Sequence, residues 1–492
     1  MKLKDVLAGV PVCEISGDEK VEIKGISYTS KKIQNGFLFA ALRGERTHGI
    51  RHIQEALLKG AKAFLSEEPV PQNFPETWVE APDARGALAL CSANFYSHPS
   101  KRMKSVGITG TKGKTTLTYL LEAILKTSRC LPGVIGTVSY RLLDKEISSE
   151  RTTPEAPDLQ RMLAEMAENG ATHCLIEVSS HALELKRVEG IEFDVVVFTN
   201  LSGEHLDYHQ SMENYFQAKK KLFLFNQNKK RMAVINTDDP WGKKLISEVP
   251  LGVITYGLEY SAIIRGEKFK LSEEGVRLSV KFPGGTLPLR SPLLGKPNLY
   301  NILAAVAVAL TLNIPHPAIK EGIASLKGVP GRFEKIKNSL GLHIFVDYAH
   351  TDDALRNLLE TVRDQSANRI ILVFGAGGDR DKAKRERMGR VAGALADWTI
   401  LTSDNPRSED PQAIIFDIEK GIKKTGENKY EIQPDRRKAI NKALALGKKG
   451  DYILVAGKGH EDYQIIGDKV LPFKDAEVIR ESLQKMEEQD IG

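Results

Sequence analysis

A glycine-rich segment at residues 107–116 is the part of the sequence best suited to bind phosphate. It reads Gly-Ile-Thr-Gly-Thr-Lys-Gly-Lys-Thr-Thr and links an apolar run to a run with leucine and isoleucine at helical spacing. Backbone amides in such a loop can point at phosphate oxygens, and the helix N-terminus adds positive potential. Lys114 is placed to contact a transferred phosphate, and Thr115 to bind Mg²⁺. The strict phosphate-loop spacing would need glycine where Ile108 stands, so a tight turn without a ligand is an alternative.

Four apolar runs in the last third of the chain each end in a polar cluster. The runs are residues 343–346, 370–374, 399–401 and 452–455, and the clusters are Asp-Tyr-Ala-His, Gly-Ala-Gly-Gly-Asp-Arg-Asp, Ser-Asp-Asn-Pro-Arg and Gly-Lys-Gly-His-Glu-Asp. In open parallel sheets, ligands bind just beyond the carboxyl ends of the strands. We therefore predict a ligand site at one edge of a C-terminal sheet, with ordinary surface loops as the alternative.

Alternating strand and helix patterns predict an α/β fold with parallel sheets covered by helices. Around the glycine-rich loop, the predicted strands are residues 105–108, 174–178, 195–200 and 232–236, followed by a small antiparallel insertion at 255–294 and a helix at 298–312. The first hundred residues predict a buried strand at 36–41 and a helix at 52–60 that ends in glycine.

The length of 492 residues suits about three domains rather than one hydrophobic core. Polar segments at 97–102 and 328–334 are typical of linkers. We therefore expect domains at residues 1–101, 102–332 and 333–492. Hydrophobic residues make up 41% of the chain and charged residues 27%, which argues against disordered and fibrous proteins.

Charge and cysteine content narrow the class of protein further. The formal net charge of +6 is too small to predict nucleic-acid binding, although it suits anionic small substrates. The four cysteines, at positions 13, 91, 130 and 174, lack metal-ligand or disulfide-framework spacing, which favours a reducing cytosol. The polar N-terminus predicts no signal peptide, and the longest apolar stretch, at 302–312, is too short to span a bilayer. We expect a cytoplasmic protein that does not insert into membranes.

Several motifs, taken together, resemble those of the Mur ligases and their folylpolyglutamate synthetase relatives. In chain order they are Thr-Gly-Thr-Lys-Gly-Lys-Thr-Thr from 109, Glu-Val-Ser-Ser-His from 177, Thr-Asn-Leu-Ser-Gly-Glu-His-Leu-Asp-Tyr-His from 199, Asn-Leu-Tyr-Asn from 298, Gly-Arg-Phe-Glu from 331 and Asp-Tyr-Ala-His from 347. The resemblance covers essentially the whole chain. It implies a UDP-substrate-binding N-terminal domain, a central P-loop ATPase-like parallel sheet and a C-terminal Rossmann-like α/β domain that binds an amino acid.

The resemblance also implies an ATP-dependent reaction in which a carboxylate becomes an acyl phosphate that an amine then attacks. Anionic groups meet in both steps, so the site needs cations. The positions matching the family's ATP-binding residues are Gly110, Thr111, Lys112, Gly113, Lys114, Thr115, Thr116, Asn298, Asn301, Arg332 and Asp347. The positions matching its catalytic residues are Lys114, Glu177, His205 and Lys219, and those matching its Mg²⁺ ligands are Thr115, Glu177, His205 and Lys219.

Lys219 lies in the segment Ala-Lys-Lys-Lys-Leu-Phe, which resembles the family pattern Ala-Lys-x-x-Leu-Phe. The resemblance implies that this lysine is carbamylated by CO₂, which replaces a cation with an anion bearing two oxygens. Composition alone leaves other roles open: a solvated helix face for Lys219, a surface salt bridge for Glu177 and a structural histidine for His205.

Within the family, the motifs most resemble the ligases that add the third residue of the stem peptide. This implies a UDP-N-acetylmuramoyl dipeptide as one substrate, bound at Ser30, Thr152, Thr153, Ser180 and Arg187. The family usually has Asp-Ser-Arg around the serine, whereas this chain has Thr-Ser-Lys. The resemblance at this site therefore rests on Ser30 alone.

The segment Asp-Asn-Pro-Arg at 404–407 matches the ligases that add meso-diaminopimelate. A guanidinium can fork onto the carboxylate that diaminopimelate has and lysine lacks, and Asn or Asp can bind its ammonium. The implied pocket consists of Arg380, Asp404, Asn405, Pro406, Arg407, Gly457 and Glu461. A lysine-adding ligase, a folylpolyglutamate synthetase and a non-catalytic nucleotide-binding scaffold are the alternatives. We expect a monomer whose domains close around ATP and its other ligands.

Overall fold

The computed structural model describes residues 1–44, 47–224, 231–364, 368–426 and 429–490. The chain divides into two compact units. The first unit comprises Met1–Leu201, Glu213–Ile264 and Ala304–Ile319, and the second comprises Ser202–Met212, Arg265–Leu303 and Lys320–Gly492. The three domain boundaries predicted above remain a prediction.

Strands and helices alternate along most of the chain. The helices are α1 Leu3–Val6, α2 Ile53–Leu58, α3 Ala84–Phe95, α4 Lys114–Thr127, α5 Ala156–Glu168, α6 Ser180–Glu184, α7 Leu206–His209, α8 Met212–Leu224, α9 Pro240–Glu248, α10 Lys296–Thr311, α11 His316–Ser325, α12 Asp352–Arg363, α13 Ala383–Leu395, α14 Pro411–Lys423, α15 Arg436–Leu446 and α16 Asp475–Asp490. The strands are β1 Glu14–Ser16, β2 Gly25–Ser27, β3 Phe37–Ala40, β4 Ala63–Ser66, β5 Thr77–Glu80, β6 Lys104–Thr109, β7 Pro132–Ile135, β8 Ser139–Leu142, β9 Lys145–Ser148, β10 His173–Glu177, β11 Val195–Phe198, β12 Met232–Asn236, β13 Gly252–Gly257, β14 Ile264–Ser272, β15 Gly275–Phe282, β16 Gly285–Ser291, β17 Glu334–Ile336, β18 His343–Asp347, β19 Ile370–Phe374, β20 Trp398–Leu401, β21 Tyr430–Ile432, β22 Tyr452–Ala456, β23 Tyr463–Ile466 and β24 Lys469–Pro472.

The N-terminal part of the first unit is a sheet of order β1-β5-β4-β3-β2 over its described residues. Strand β1 is antiparallel to β5, and the other pairs are parallel. Because successive strand residues face opposite sides, Leu38 packs in one core cluster with α1 and α3, and Phe39 packs in another with α2. The predicted strand at 36–41 and helix at 52–60 are confirmed, and Gly60 follows α2 with φ of 86°.

A second sheet in the first unit positions the glycine-rich loop. Its described strands have the order β13-β12-β11-β6-β10-β7-β8-β9, and all pairs from β13 to β7 are parallel. The central strands are uninterrupted apolar runs such as Val195–Phe198, which is typical of strands covered on both faces. The four strands predicted here are confirmed as β6, β10, β11 and β12.

Two predicted segments differ from their expected form. The predicted linker at 97–102 contains a 3-10 helix, Pro99–Arg102, in which Pro99 and Ser100 are buried. Ser100 is held because its hydroxyl accepts from Glu192 N at 3.2 Å. The predicted antiparallel insertion begins later than residue 255, since β13 is parallel to β12, but β14, β15 and β16 do pair antiparallel.

The second unit is built on a sheet of order β17-β18-β22-β19-β20-β21 over its described residues. The edge strand β17 is antiparallel, and the rest are parallel. Helices α12, α13 and α14 cover one face, while α15 and α16 cover the other. The four strands predicted in this region are confirmed, and their register brings the ends of β18, β22, β19 and β20 to one edge. The α/β fold class is therefore confirmed.

Within the described residues, no helix is both long enough and apolar enough to cross a membrane.

Candidate active site

The loop between β6 and α4 is shaped by two glycines with positive φ. Gly110 has φ of 145°, and a Cβ there would collide with the Thr199 hydroxyl. Gly113 has φ of 89° and precedes the first residue of α4. Lys112 N donates to Asn200 Oδ1 at 2.9 Å, which ties the loop to the residues that follow β11. This strand–loop–helix geometry is the one that presents backbone amides to an anion.

Two lysines converge on the carbonyl oxygen of Gly110. Lys114 Nζ donates to this oxygen at 2.8 Å, and Lys219 Nζ donates to it at 2.9 Å. Lys219 is only 1% exposed, and its ammonium lies 4.4 Å from the ring centre of Tyr215. Both lysines therefore lie against the loop that is expected to bind phosphate.

The position of Lys219 distinguishes it from its neighbours on α8. Lys220 and Lys221 pair with Glu248 and Glu184, each at 2.8 Å, in partly exposed positions. The solvated helix face that composition suggested therefore describes these two lysines and not Lys219. Because a buried, uncarbamylated lysine is costly, the position suits a residue with a specific role.

Glu177 is 1% exposed at the end of β10, so the surface salt bridge is excluded. Its Oε2 accepts from the hydroxyls of Thr115 and Thr137, both at 2.9 Å, and its Oε1 accepts from Thr137 N at 3.1 Å. A Cβ at Gly136 would collide with Glu177 Oε1, so a larger residue there would displace the carboxylate. Glu177 therefore sits in a cluster of oxygen atoms at the start of α4.

The oxygen atoms of Thr115 and Glu177 fit Mg²⁺ chemically, since Mg²⁺ usually takes one or two protein oxygens together with substrate phosphates and waters. Among the described residues, no three His, Cys, Asp or Glu side chains converge as a complete metal-binding group. Lys219 fits only as a carbamate, because an ammonium has no lone pair to donate. His205 belongs to the second unit and is described below.

The residues expected to bind the dipeptide form a second group in the first unit. Thr153 Oγ1 donates to the Glu177 carbonyl at 2.7 Å, and Thr152 Oγ1 lies 3.0 Å from Thr137 Oγ1. Arg187 Nη1 donates to Thr153 O at 3.1 Å. Ser180, 2% exposed, is the first residue of α6. The structure thus joins Thr152, Thr153 and Arg187 to the cluster around Glu177.

Arg187 is oriented by a buried acid, Glu155, which sequence reasoning did not identify. Glu155 lies 2.8 Å from Arg187, 2.6 Å from Arg151 and 3.7 Å from Arg85. Burial lowers the pKa of Arg187, although Glu155 opposes this effect. Arg187 Nε is buried without a hydrogen-bond partner among the described residues. Three guanidinium groups around one carboxylate leave net positive charge for an anionic ligand.

Ser30 lies in a 3-10 helix of the N-terminal sheet, apart from the groups just described. It is 5% exposed, and its hydroxyl donates to Glu55 Oε2 at 2.7 Å. Lys59 Nζ donates to the Ser30 carbonyl at 3.0 Å. The nearby Tyr28 donates to Asp158 on α5 at 2.9 Å, which links this sheet to the dipeptide-binding group.

His205, the remaining predicted Mg²⁺ ligand, lies in the second unit. It has φ of 57° just before α7, and its side chain is 45% exposed, so it is not a buried structural histidine. The adjacent Glu204 lies 3.2 Å from His350 Nε2, which holds the His205 loop beside the segment that follows β18.

The residues predicted to bind adenosine are also in the second unit. Asn301 Nδ2 donates to Asn298 Oδ1 at 3.0 Å, so the two amides share one face of α10 as expected. Arg332 lies 4.6 Å from the ring centre of Tyr348, and its Nε is buried with no hydrogen-bond partner among the described residues. Asp347 Oδ2 accepts from Phe333 N at 2.7 Å. Burial raises the pKa of Asp347, and Arg332 partly offsets the rise.

At the strand ends of the second unit, the loops after β19 and β20 pack through glycines. A Cβ at Gly378 would collide with the Pro406 carbonyl. Gly378 N donates to Asn405 O at 2.9 Å, and Arg407 Nη1 donates to Gly378 O at 2.9 Å. Arg380 is exposed near this point, and its guanidinium donates to Asp379 O at 3.3 Å.

The loop after β22 completes this group. Gly457 has φ of 112°, and a Cβ there would lie 2.6 Å from Asp404 Oδ2. Asn405 Nδ2 donates to Glu461 Oε2 at 2.8 Å. The structure therefore brings together all the predicted diaminopimelate residues, with Asn405 only 2% exposed and Arg380 at the rim. A simple turn at Asn405-Pro406 would not need these contacts.

Three buried cations support these loops and were missed by sequence reasoning. Arg436, completely buried, forms a double hydrogen bond with Asp475 and donates to the Ala456 carbonyl at 2.9 Å. Arg385, 1% exposed, pairs with Glu409 at 2.8 Å. Lys458 is 0% exposed beside Glu461. Only Lys458 lies within a motif, so it alone had a sequence signal.

Comparison with known proteins agrees with this geometry. Sequence profiles match residues 22–96 as "Mur ligase family, catalytic domain", 108–309 as "Mur ligase middle domain" and 331–459 as "Mur ligase, glutamate ligase domain". A relative from Caldanaerobacter subterraneus subsp. tengcongensis is 44% identical over 99% of this chain and 100% of its own length. The chain belongs to the Mur ligase family. It is accordingly an ATP-dependent ligase.

Other relatives of this Mur ligase carry the same name as the first. The Caldanaerobacter protein and one from Geobacter metallireducens, 44% identical over the full length of both chains, are named UDP-N-acetylmuramoyl-L-alanyl-D-glutamate--2,6-diaminopimelate ligase. A solved structure of a ligase with this name superposes with a TM-score of 0.70 at 31% identity, covering 99% of each chain.

Proposed function

We propose that this Mur ligase joins meso-diaminopimelate to UDP-N-acetylmuramoyl-L-alanyl-D-glutamate, converting ATP to ADP and phosphate. The glutamate carboxylate becomes an acyl phosphate, and an amine of diaminopimelate displaces the phosphate. The observation that carries the proposal is the cluster of Asp404, Asn405, Arg407 and Glu461 at the strand ends of the second unit. The names of the relatives support the same substrates.

In the first unit, Glu177 connects the two groups that would bind the reacting molecules. It accepts from Thr115 at 2.9 Å, next to the phosphate loop, and its carbonyl accepts from Thr153 at 2.7 Å, next to Arg187. We infer that Lys114 and the loop amides hold the ATP phosphates while Thr152, Thr153, Ser180 and Arg187 hold the dipeptide. The acceptor carboxylate and the transferred phosphate would then lie side by side, which removes much of the entropic barrier.

We infer that Mg²⁺ is held in the first unit by Thr115, Glu177 and a carbamylated Lys219. The role of His205 as a ligand stays a prediction from the sequence. When bound, the ion neutralises charge on phosphate oxygens. Lys219 donates to Gly110 O at 2.9 Å, so a carbamate on this side chain would bring an anion to the base of the phosphate loop.

The second unit accounts for amino-acid specificity. Diaminopimelate has a second head that carries both an ammonium and a carboxylate. Glu461 and Asp404 can bind the ammonium, and the guanidinium groups of Arg407 and Arg380 can bind the carboxylate. Lysine lacks that carboxylate and would leave the Arg407 guanidinium without a carboxylate partner in a partly buried site. By analogy with other buried charged groups, this costs several kcal/mol of binding free energy.

We further propose that the ligase acts as a monomer in the cytoplasm and binds no nucleic acid. All four cysteines are free thiols, which suits a reducing compartment. Both ATP and a UDP-linked substrate are consistent with that setting.

The experiment that tests this function measures phosphate release from ATP with UDP-N-acetylmuramoyl-L-alanyl-D-glutamate and either meso-diaminopimelate or L-lysine. We expect turnover with diaminopimelate and at least about 10³-fold lower kcat/KM with lysine, the scale seen when buried polar groups are left unpaired. Equal turnover with lysine would refute the proposed specificity for diaminopimelate but would still be consistent with a ligase that acts on this UDP-linked substrate. No turnover with either acceptor would refute the proposed substrates.

A further inference from the structure

Lys458 is a completely buried cation in the loop after β22. Its Nζ donates to Glu461 Oε2 at 2.9 Å and to Asn405 Oδ1 at 3.2 Å. The ammonium also lies 5.5 Å from the ring centre of Tyr463. A charged group that is removed from water is tolerated only when its partners are well aligned. The contacts of Lys458 therefore also fix the positions of Asn405 and Glu461.

The contacts of Lys458 determine which way the Asn405 amide points. Asn405 Oδ1 accepts from Lys458 Nζ and also from Ile465 N at 2.9 Å, while Asn405 Nδ2 donates to Glu461 Oε2 at 2.8 Å. A reversed amide would place its NH₂ group against two donors and its oxygen against a carboxylate. The ammonium of Lys458 therefore locks one orientation of Asn405.

The same ammonium also fixes the position of the Glu461 carboxylate. The Glu461 side chain is 15% exposed, and one of its oxygens accepts from both Lys458 and Asn405. In that position the carboxylate keeps its other oxygen for a cation from outside. Without Lys458, the carboxylate would lose this charge-assisted hydrogen bond in a mostly buried site and would no longer be held in one position.

We propose that Lys458 is a positioning residue that sets the specificity of the ligase for an amino acid with a second zwitterionic head. It orients Asn405 and, directly and through the Asn405 amide, holds the Glu461 carboxylate in place. Glu461 then binds the ammonium of that head while Arg407 binds its carboxylate. This inference rests on the proposed function, since it concerns the pocket assigned there to diaminopimelate.

The test uses the full chain with Lys458→Met, which keeps the length of the side chain and removes its charge. Lys423→Met is the matched control, because Lys423 also pairs with a glutamate, Glu419 at 3.0 Å, but is 58% exposed. KM and kcat are measured for meso-diaminopimelate, together with KM for ATP and the ratio of kcat/KM for diaminopimelate over L-lysine. Circular dichroism and thermal unfolding identify variants that do not fold.

We expect Lys458→Met to raise KM for diaminopimelate roughly 10- to 100-fold, the effect of removing one charge-assisted hydrogen bond from a buried network. The KM for ATP should stay within about twofold, and the preference for diaminopimelate over lysine should fall. The effect of Glu461→Gln should be much smaller in the Lys458→Met background than in the native chain, because the two residues act as one unit.

If Lys458→Met does not fold, Lys458→Gln retains a hydrogen-bond donor without the charge and should still raise KM for diaminopimelate at least about tenfold. An unchanged KM in the folded variant, or a loss of kcat alone with unchanged selectivity, would overturn the role of Lys458. Failure of the proposed function is separate, because the native chain would then not use diaminopimelate at all.

Discussion

The phosphate loop of the first unit and the amino-acid loops of the second unit are built on different principles. In the phosphate loop, the lysines contact backbone carbonyls, as Lys114 and Lys219 both do at Gly110. In the amino-acid loops, the cations pair with acids, as Arg436 does with Asp475 and Lys458 with Glu461. The first region places its lysines against the loop backbone, and the second pairs its buried cations with acids.

This difference predicts that the charged side chains of the first region affect the rate of catalysis, whereas those of the second affect the stability of the fold. A lysine that donates to loop carbonyls, as Lys114 does, should act mainly once an anionic ligand is bound, so its substitution should affect catalysis. An arginine in a buried ion pair supports the fold with or without ligand, and removing it leaves an uncompensated acid. Substitutions in the two regions should therefore be distinguished by whether they change turnover or unfolding.

The largest effect should follow Lys114→Ala in the phosphate loop. A cation on the transferred phosphoryl group is worth about 10³- to 10⁵-fold in kcat where it has been removed from other phosphoryl-transfer sites, and we expect a loss in that range here. The measurement is phosphate release at saturating substrates, with thermal unfolding of the same sample. Lys126→Ala is the control, since Lys126 is on the same helix, is 62% exposed and pairs with Glu122. Activity above a tenth of the native value would contradict a role for Lys114 at the phosphate.

The phosphate loop was largely predictable from sequence because its requirements are local. Gly110 and Gly113 are needed where the backbone has positive φ, and Lys114 and Thr115 follow at fixed offsets on α4. The strands around it are continuous apolar runs bounded by polar residues, so their limits were predicted to within a few residues. Local spacing carries this information because the loop and its ligand groups lie within about ten residues.

Two supports of the amino-acid loops, Arg385 and Arg436, were not predictable, because their acidic partners are distant along the chain. Arg436 and Arg437 are adjacent and identical in type, yet the first is 0% exposed beside Asp475 and the second is 50% exposed beside Glu481. Lys219 differs from Lys220 and Lys221 in the same way. Burial depends on which face of a helix meets the core, and the pairing acid is about forty residues away.

The second prediction uses that adjacent pair of arginines. Arg436→Met should lower the free energy of unfolding by about 3–5 kcal/mol, because Asp475 would remain buried without its partner. Arg437→Met should change it by less than about 1 kcal/mol, as expected for an exposed ion pair. Chemical denaturation of the full chain measures both. Replacing both members, with Arg436→Met and Asp475→Leu together, should recover most of the loss, and similar effects from the two single variants would remove the distinction between the regions.

The third prediction concerns Arg407, which lies in the amino-acid loop that follows β20. Arg407→Lys keeps the charge but loses the forked geometry, so kcat/KM for diaminopimelate should fall about 10- to 100-fold, with little change for lysine. Arg407 also donates to Gly378 O at 2.9 Å, so its loss could disturb the loop as well as the substrate. The informative quantity is therefore the ratio of kcat/KM for diaminopimelate to kcat/KM for lysine. Arg390→Lys is the control, because Arg390 lies on the outer side of α13 with its side chain 55% exposed. Equal losses for both acceptors would mean that Arg407 supports the loop rather than the substrate.

The smallest effect should be a difference in acid stability within the second unit. Arg385, 1% exposed, lowers the pKa of Glu409 from its ordinary value of 4.5 to about 2, mainly by hydrogen bonding. Lys424 and Arg390 lower the pKa of Glu386 from 4.5 to about 2 at an open site. Each acid is more easily ionised in the folded chain, so its stabilising effect is complete above pH 4.5 and is lost as the pH falls toward 2.

Replacing each acid with glutamine should therefore flatten the loss of stability between about pH 4.5 and 2, as measured by denaturant unfolding of the full chain against the native protein. The two variants should differ in their response to salt. The contribution of Glu386 should shrink in 0.5 M salt, since screening acts over roughly 4–5 Å at that ionic strength and its partners are open to solvent. The contribution of Glu409 should persist, because its partner Arg385 is buried. Equal salt sensitivity would mean that burial of the cation does not protect the ion pair from screening. The proposed difference between ion pairs with a buried cation and fully exposed ion pairs would then be wrong.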